Sequence, residues 1–160
     1  MIRLLDRFVD GVLSYGMWLA LPVAALLFLQ WPLRDLVGAY SREANDLGQW
    51  LFALYVAISV TAATRGKLHL SADTLARHYS QRWRQRFARI GITLGLIPWA
   101  LFVLFTSKNV VLASVIGMER FPDTGNPGYF LVKIALWLLA FLILVQGVIE
   151  LFRPVKVEGE

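Results

Sequence analysis

The stretch that decides the fold runs from Arg65 to Arg89 and reads RGKLHLSADTLARHYSQRWRQRFAR. It lies between two pairs of long apolar segments, and it carries seven of the sixteen lysine and arginine residues of the chain. A dense group of cations between apolar segments is typical of a cytoplasmic loop in a membrane protein, because positive residues are retained on that side. The stretch therefore predicts how the flanking segments are oriented.

The flanking segments are long enough to cross a bilayer. Of the 160 residues, 58% are hydrophobic and 17% are charged, whereas soluble domains are about 45–50% apolar. A spanning helix needs roughly 17–25 mostly apolar residues. We predict an all-α integral membrane protein that forms a single membrane domain over residues 1–160, with four spans at about residues 11–33, 46–64, 90–108 and 128–150.

The central stretch is too polar to span a membrane and has the pattern of a surface helix. From Ala72 to Ile90, apolar residues recur every three or four positions, which places them on one helical face. Aromatic anchors beside arginines are typical of a helix in the membrane interface; the alternative is a connector helix packed on protein. We predict an amphipathic interfacial helix over about residues 71–89, whose membrane-surface residues are Arg77, Tyr79, Arg82, Trp83, Arg84, Arg86, Phe87 and Arg89.

The distribution of cations predicts the side on which the termini lie. Four spans place both termini on the side of the central stretch, and that side holds eleven lysines and arginines against five on the other. Since positive residues stay inside, we predict cytoplasmic N- and C-termini. We attribute the net charge of +5 to basic residues that face the cytoplasm and contact anionic lipid. No nucleic-acid partner is expected.

Small residues recur at every fourth position in three of the spans, a spacing that lets helices approach closely. We predict helix packing at Gly16, Ala20 and Ala24 in the first span, Ala53 and Ala57 in the second, and Gly91 and Gly95 in the third. The pair in the third span is a short GxxxG motif, which is a weak signal. Pro22 and Pro98 fall inside spans, where proline can kink a helix.

Residues that perform chemistry are scarce in this chain. The interiors of the first three spans hold no charge, although transport sites near the bilayer midplane usually use ionisable residues or broken helices. There is no cysteine, and the two histidines, His69 and His78, have no partner at metal-ligand spacing. Phosphate loops and nucleophile elbows are absent from the sequence. We predict no catalytic residue, no cofactor and no metal site, in a protein that supports another.

The second span and the start of the central stretch together resemble a known family. Trp50 lies in the outer half of its span, and the pattern Arg65-x-x-x-His69-Leu70-x-x-Asp73 follows. This combination is similar to the small membrane subunit, DctQ-like, of tripartite ATP-independent periplasmic (TRAP) transporters. The length and the four spans also resemble that family, over nearly the whole chain.

The resemblance implies an accessory subunit in the cytoplasmic (inner) membrane of a bacterium or archaeon. It implies a large multi-span partner subunit that carries the substrate and sodium sites and moves as an elevator. A periplasmic substrate-binding protein would deliver an organic acid, commonly a carboxylate or a sulfonate. The small subunit would brace the large one and carry no transport site.

Two further expectations follow from combining this resemblance with the charges. The basic helix is expected to lie against membrane lipid and to hold a phospholipid head group. The outer connectors are expected to contact the binding protein, unless their charges are simply solvated surface; the residues concerned are Arg34, Arg42, Glu43, Asp46 and Arg120.

Two other functions stay open on the sequence. A small four-helix membrane enzyme acting on lipid or on an anionic substrate would need clustered polar groups near one interface. The basic stretch from Arg65 to Arg89 could bind such a substrate, but it offers no evident nucleophile or base. A scaffold of an unrelated membrane complex is the third interpretation.

Overall fold

A computed structural model describes residues 2–38, 41–66 and 80–152, and nearly all of these residues are helical. Four helical stretches are long and apolar enough to cross a membrane: Ile2–Leu36, Arg42–Arg65, Arg86–Ile116 and Tyr129–Phe152. This confirms the predicted all-α class with four candidate spans. The predicted spans fall on these stretches, although the first and third helices are much longer than predicted.

The first and third stretches are each built from more than one helical segment. The first comprises α1 (Ile2–Gly16), a 3₁₀ turn (Met17–Leu19) and α2 (Ala20–Val37). The third comprises α4 (Gln81–Gly91), a π-helical turn (Ile92–Leu96) and α5 (Ile97–Ile116). The second and fourth are single helices, α3 (Arg42–Arg65) and α6 (Tyr129–Phe152).

Both irregular turns lie just ahead of a proline. Proline has no N–H to donate to the carbonyl four residues earlier. For Pro22 that carbonyl belongs to Trp18, inside the 3₁₀ turn, and for Pro98 it belongs to Leu94, inside the π turn. The prolines expected to distort the first and third spans therefore coincide with a local change of helical pitch.

Helix α6 forms the centre of the molecule and packs on α3 on one side and on α5 on the other. Its buried side chains include Leu142 and Ile149, which are fully enclosed. Trp137 donates its indole N–H to the carbonyl oxygen of Leu104 at 3.2 Å and so ties α6 to α5. Gly147 lets α6 lie against the π turn and the start of α5, since a Cβ there would lie 2.8 Å from Cδ2 of Leu96 and 3.2 Å from Cγ1 of Ile97.

The interfacial helix was predicted to end at residue 89, before the third span, but in the structure it continues into that span. Residues 71–79 lie outside the described part of the chain. From Gln81 onward the backbone is helical through Gly91 and continues directly into the third span. Gly91 itself has helical torsion angles, φ −59° and ψ −39°, so it does not interrupt the helix. How α4 lies relative to a membrane stays a prediction.

Candidate functional site

Within the described residues, polar side chains from distant parts of the sequence meet at both ends of the helices. At the end where the chain termini lie, Arg65 contacts residues of α1 and α6. At the other end, Asp46 and Glu119 hold the connector between α5 and α6. Each group sets the position of a different segment.

The first group, which we call the arginine clamp, consists of Arg65, Asp6, Asp10 and Gln146. Nη2 of Arg65 lies 3.0 Å from Oδ1 of Asp6 and 2.8 Å from Oδ1 of Asp10. Nη1 of Arg65 donates a hydrogen bond to Oε1 of Gln146 at 3.1 Å. One guanidinium therefore joins the first, second and last helical stretches.

The clamp follows from the position of each residue on its helix. Asp6 and Asp10 are one turn apart and share a face of α1. Arg65 ends α3 and its side chain is only 17% exposed, whereas Gln146 is buried within α6. The planar guanidinium presents several donors in fixed directions, which suits simultaneous contact with two carboxylates and an amide.

Sequence reasoning singled out Arg65 but missed its partners. Asp6 and Asp10 stood in a short segment of mixed charge, and Gln146 stood alone in an apolar span. The available signal was the spacing of the two aspartates, since two acids one turn apart repel one another weakly and are stabilised by a nearby cation.

At the opposite end, the connector of residues 117–128, which we call the outer turn, is folded onto α3. Asp46 is 6% exposed, and its Oδ2 accepts hydrogen bonds from Oγ1 of Thr124 at 2.5 Å and from Nδ2 of Asn126 at 3.3 Å. The turn is closed by the backbone N–H of Phe121, which donates to the carbonyl oxygen of Asn126 at 2.8 Å. Phe121 is buried and packs edge-on against Tyr129.

Glu119 fixes the base of the outer turn to both neighbouring helices. Its carboxylate accepts a hydrogen bond from the hydroxyl of Ser114 at the end of α5, and another from the ammonium of Lys133 near the start of α6, at 2.5 Å. The hydrogen bonds from Lys133 and Ser114 lower the pKa of Glu119 below its ordinary value. The ionised carboxylate is therefore the form that holds the turn.

The predicted docking residues do not share one environment. Arg34, Arg42, Glu43 and Arg120 are exposed, but Asp46 is buried against the outer turn. Asp46 therefore serves as an internal contact, and it does not present a charge to solvent. The prediction of contact with the binding protein therefore stays open for the four exposed residues alone.

Three of these exposed residues also make contacts within the chain. Nε of Arg34 lies 2.9 Å from Oδ1 of Asp35. Glu43 accepts a hydrogen bond from the Ser41 hydroxyl at 3.0 Å, and Arg120 donates to the carbonyl oxygen of Gly125 at 3.0 Å.

The family pattern is only partly covered by the described residues. Trp50 and Arg65 lie toward opposite ends of α3, and the indole of Trp50 lies beside Gly128 at the outer turn. His69, Leu70 and Asp73 lie outside the described residues, as do Arg77 and Tyr79. The side chains of Arg82 and Arg84 are also outside that part.

The described membrane-surface residues form an exposed aromatic patch. Trp83 and Phe87 stack with their ring centroids 5.8 Å apart, and the guanidinium carbon of Arg86 lies 5.2 Å from the centre of the Trp83 ring. Both rings are half exposed, and Arg89 is exposed as well. The apolar face of α4 is thus not covered by the described parts of the chain.

The small-residue positions also divide into buried and open ones. Gly16 packs directly on Ile58, and Ala57 is buried. Ala20 and Ala53 are half-buried, whereas Ala24 is exposed. Gly91 and Gly95 have no atom within 4 Å of the position where a Cβ would stand, so this pair meets no described helix.

Gly95 borders an apolar groove between α3, the third helical stretch and α6. The groove has a volume of about 490 Å³, and it is lined by Val60, Thr64, Gly95, Leu96, Trp99, Leu139 and Ile143. Thr64 supplies the only polar side chain in this lining, and its hydroxyl donates to the carbonyl oxygen of Val60 at 2.8 Å. The groove is therefore suited to an apolar surface.

Acidic, histidine and cysteine side chains do not cluster as metal ligands anywhere in residues 2–38, 41–66 and 80–152. The polar groups described above hold helices and turns together. In particular, the hydroxyls of Ser114 and Thr124 donate to the carboxylates of Glu119 and Asp46 and so tie the outer turn to its neighbours.

Comparison with known proteins identifies the family. A family model described as "Tripartite ATP-independent periplasmic transporters, DctQ component" matches residues 23–157. No curated protein and no solved structure matches the chain. The match covers most of the 160 residues and includes the second span, the central stretch and the last two spans. The chain therefore belongs to the DctQ family of TRAP transporter components, and it is a small multi-pass subunit of the inner membrane.

Proposed function

We propose that this subunit braces the large membrane subunit of a sodium-coupled TRAP transporter and carries no transport site itself. The transporter would import an organic acid, a carboxylate or a sulfonate, delivered by a periplasmic binding protein. Family membership supports the subunit role. The observation that carries the bracing role is the placement of charge toward the ends of the spans, combined with long apolar faces that the described residues leave uncovered.

The spans are unsuited to holding a charged substrate or sodium. No charged residue occurs in residues 11–33, 47–64, 90–107 or 134–149. Ion and substrate sites in transporters usually combine such residues with unwound backbone near the midplane. The π turn at Ile92–Leu96 is an irregular piece of helix within the third span. Its side chains Ile92 and Leu96 are apolar and pack on Gly147, so it offers no charged group. We therefore assign the substrate and sodium sites to the large subunit.

The third helical stretch offers the surface for bracing. Its side chains face outward almost throughout: Leu94, Phe102 and Phe105 are each at least 65% exposed. Gly91 and Gly95 leave a shallow channel beside the apolar groove, where another helix can approach closely. We propose that a helix of the large subunit packs here, and that lipid covers the remaining exposed apolar faces.

The aromatic patch of α4 supports a role at the membrane surface. Trp83 and Phe87 present apolar rings beside the cation of Arg86, a combination that suits the boundary between acyl chains and head groups. We propose that this patch lies in the cytoplasmic leaflet and holds a phospholipid head group through its arginines.

Reconstitution tests the bracing role. The chain, the large subunit and the binding protein are incorporated into or added to liposomes, singly and together, and organic-acid uptake is followed with and without a sodium gradient. We expect uptake only when all three proteins and the gradient are present. Uptake by this chain alone, or full uptake without it, would contradict the proposal.

The exposed outer arginines are tested in the same assay. Replacing both Arg34 and Arg42 by Glu should raise the concentration of binding protein needed for half-maximal uptake, because the reversed charges weaken encounter between the two proteins. The double replacement by Lys retains the charge and serves as the control. An unchanged dependence on binding protein in the Glu variant would exclude docking through these two residues.

A further inference from the structure

We propose that α1 is a hinged arm and that Arg65 is the positioning residue that latches it to the rest of the subunit. The inference rests on contacts within this chain, and it does not depend on the bracing role. It gives Arg65, the arginine of the family pattern, a structural role, and it gives the first ten residues a role as the part that Arg65 holds.

The hinge is the junction of α1 and α2. The 3₁₀ turn at Met17–Leu19 interrupts the α-helical pitch, and short 3₁₀ stretches within helices often mark hinges. Directly before the turn, Gly16 lies against Ile58 of α3 with no room for a side chain. This contact holds the pivot in place while α1 extends beyond it.

The arm rests on the last span through one apolar face. Val9 is fully buried in a cluster with Val145 and Ile149 of α6. Ile2, Leu5 and Leu13 pack around this cluster from the arm. The cluster is small, since it holds three buried side chains, and the remaining sides of the arm are polar or exposed. Among the described residues, the arm therefore has only this small apolar cluster with α6, so the polar contacts described next add the main resistance to its rotation.

Arg65 supplies the missing restraint. Asp6 and Asp10 repel one another across one helical turn, and a cation between them removes that repulsion. The guanidinium is in turn oriented by Gln146 of α6. The arm is therefore held only when α3 and α6 are both in their final positions. The position of the first helix thus depends on that of the last helix in the sequence.

The position of the arm can be measured with spin labels because the chain contains no cysteine. Labels are placed on the exposed positions Arg7→Cys and Phe152→Cys, and their separation is measured by pulsed electron resonance in the full-length chain. We expect a narrow distance distribution in the parent and a broad one in Arg65→Gln. The melting temperature of Arg65→Gln should fall by about 5 °C.

Charge exchange separates latching from a general loss of packing. Arg65→Glu combined with Asp10→Arg restores an ion pair with its charges swapped, so the narrow distribution should return. Arg42→Gln removes an exposed arginine from the other end of α3 and should leave the distribution narrow. If Arg65→Gln does not accumulate, the Asp6→Asn and Asp10→Asn double variant leaves the arginine and Gln146 intact and must still broaden the distribution.

Two results would overturn the proposal. One is a narrow distribution in a folded Arg65→Gln chain, or in the double asparagine variant. The other is a failure of the charge exchange to narrow the distribution although the exchanged chain accumulates to the parent level.

Discussion

Gly16 is confined by the side chain of Ile58, which must shift if a larger residue takes its place. A Cβ at this position would lie 2.3 Å from Cδ1 and 2.8 Å from Cγ2 of Ile58. We expect Gly16→Ala to destabilise the chain by about 1–3 kcal/mol, because the isoleucine must shift in a packed contact. Thermal unfolding in detergent measures the change.

Two control variants distinguish this clash from a general effect of replacing glycine. Gly11 lies in the same helix with nothing within 4 Å of its Cβ position, so Gly11→Ala should be neutral or stabilising by up to about 1 kcal/mol. Ile58→Val removes the nearest carbon and should recover part of the loss in Gly16→Ala. Equal losses at Gly11 and Gly16 would show that crowding is not the cause.

Glu119 gives the outer turn a dependence on pH. Its pKa is lowered in the folded chain by the hydrogen bonds from Lys133 and Ser114. The stabilising contribution is therefore fully present above the ordinary glutamate pKa of about 4.3, and it is lost as the pH falls through the lowered value. We expect Glu119→Gln to melt below the parent at neutral pH, and the difference to shrink as the pH falls through the lowered pKa of Glu119.

The exposed Glu43 provides the comparison for this pH series, because Glu43→Gln changes the same atoms outside the outer turn. Melting curves of the parent and both variants across the pH range decide the matter. A difference between the parent and Glu119→Gln that stays constant down to acid pH would show that the ionised carboxylate is not what holds the turn.

The contacts of individual residues were the least predictable part of the chain. Arg65 was identified through its family pattern, yet the carboxylates and amide that bind it are 55 to 81 positions away in sequence. Asp46 looked like an exposed outer charge, but the outer turn folds over it. Which polar groups meet depends on how helices rotate against one another, and one sequence does not determine that rotation.

Among the helices, α6 lies close against the π turn and the start of α5 at Gly147. A methyl group at Gly147 would meet Cδ2 of Leu96 at 2.8 Å and Cγ1 of Ile97 at 3.2 Å. We expect Gly147→Ala to cost about 1–2 kcal/mol, since the two helices must separate slightly. Gly95→Ala should be neutral or stabilising in the isolated subunit, because that position faces open space.

Gly147 and Gly95 together distinguish packing within the subunit from contact with the large subunit. Unfolding of the isolated chain reports on Gly147, whereas copurification with the large subunit reports on Gly95. Bulky Gly95→Leu should reduce copurification if the groove receives a partner helix. A larger loss of stability from Gly95→Ala than from Gly147→Ala would contradict the packing described here.

The existence of the helices was the most predictable property of this chain. A hydrocarbon environment requires helices that satisfy their own backbone hydrogen bonds, so the long apolar runs of the sequence reveal the four stretches. Their ends were harder to predict, because polar residues such as those of Gln81–Gly91 are also good helix formers. The third helix therefore begins well before its apolar run.

For the molecule as a whole, the orientation in the membrane is open to a direct test. The chain has no native cysteine, so single cysteines at the exposed residues Asp123 and Ser80 report on the two sides. Because cations favour the cytoplasmic side, a membrane-impermeant thiol reagent added to intact cells should label Asp123→Cys and spare Ser80→Cys. Labelling of Ser80→Cys alone would reverse the topology, and lysed cells control for reactivity.

Because its helices differ in length, the tilt of this subunit depends on the thickness of its membrane. The stretch Ile2–Leu36 has 35 residues and Arg86–Ile116 has 31, whereas the other two have 24 each. At 1.5 Å per residue the long pair measures about 50 Å and about 46 Å, and the short pair about 36 Å. A hydrocarbon layer of about 30 Å accommodates the long pair only if they tilt or project. A thinner bilayer therefore increases the tilt of the long helices within the membrane.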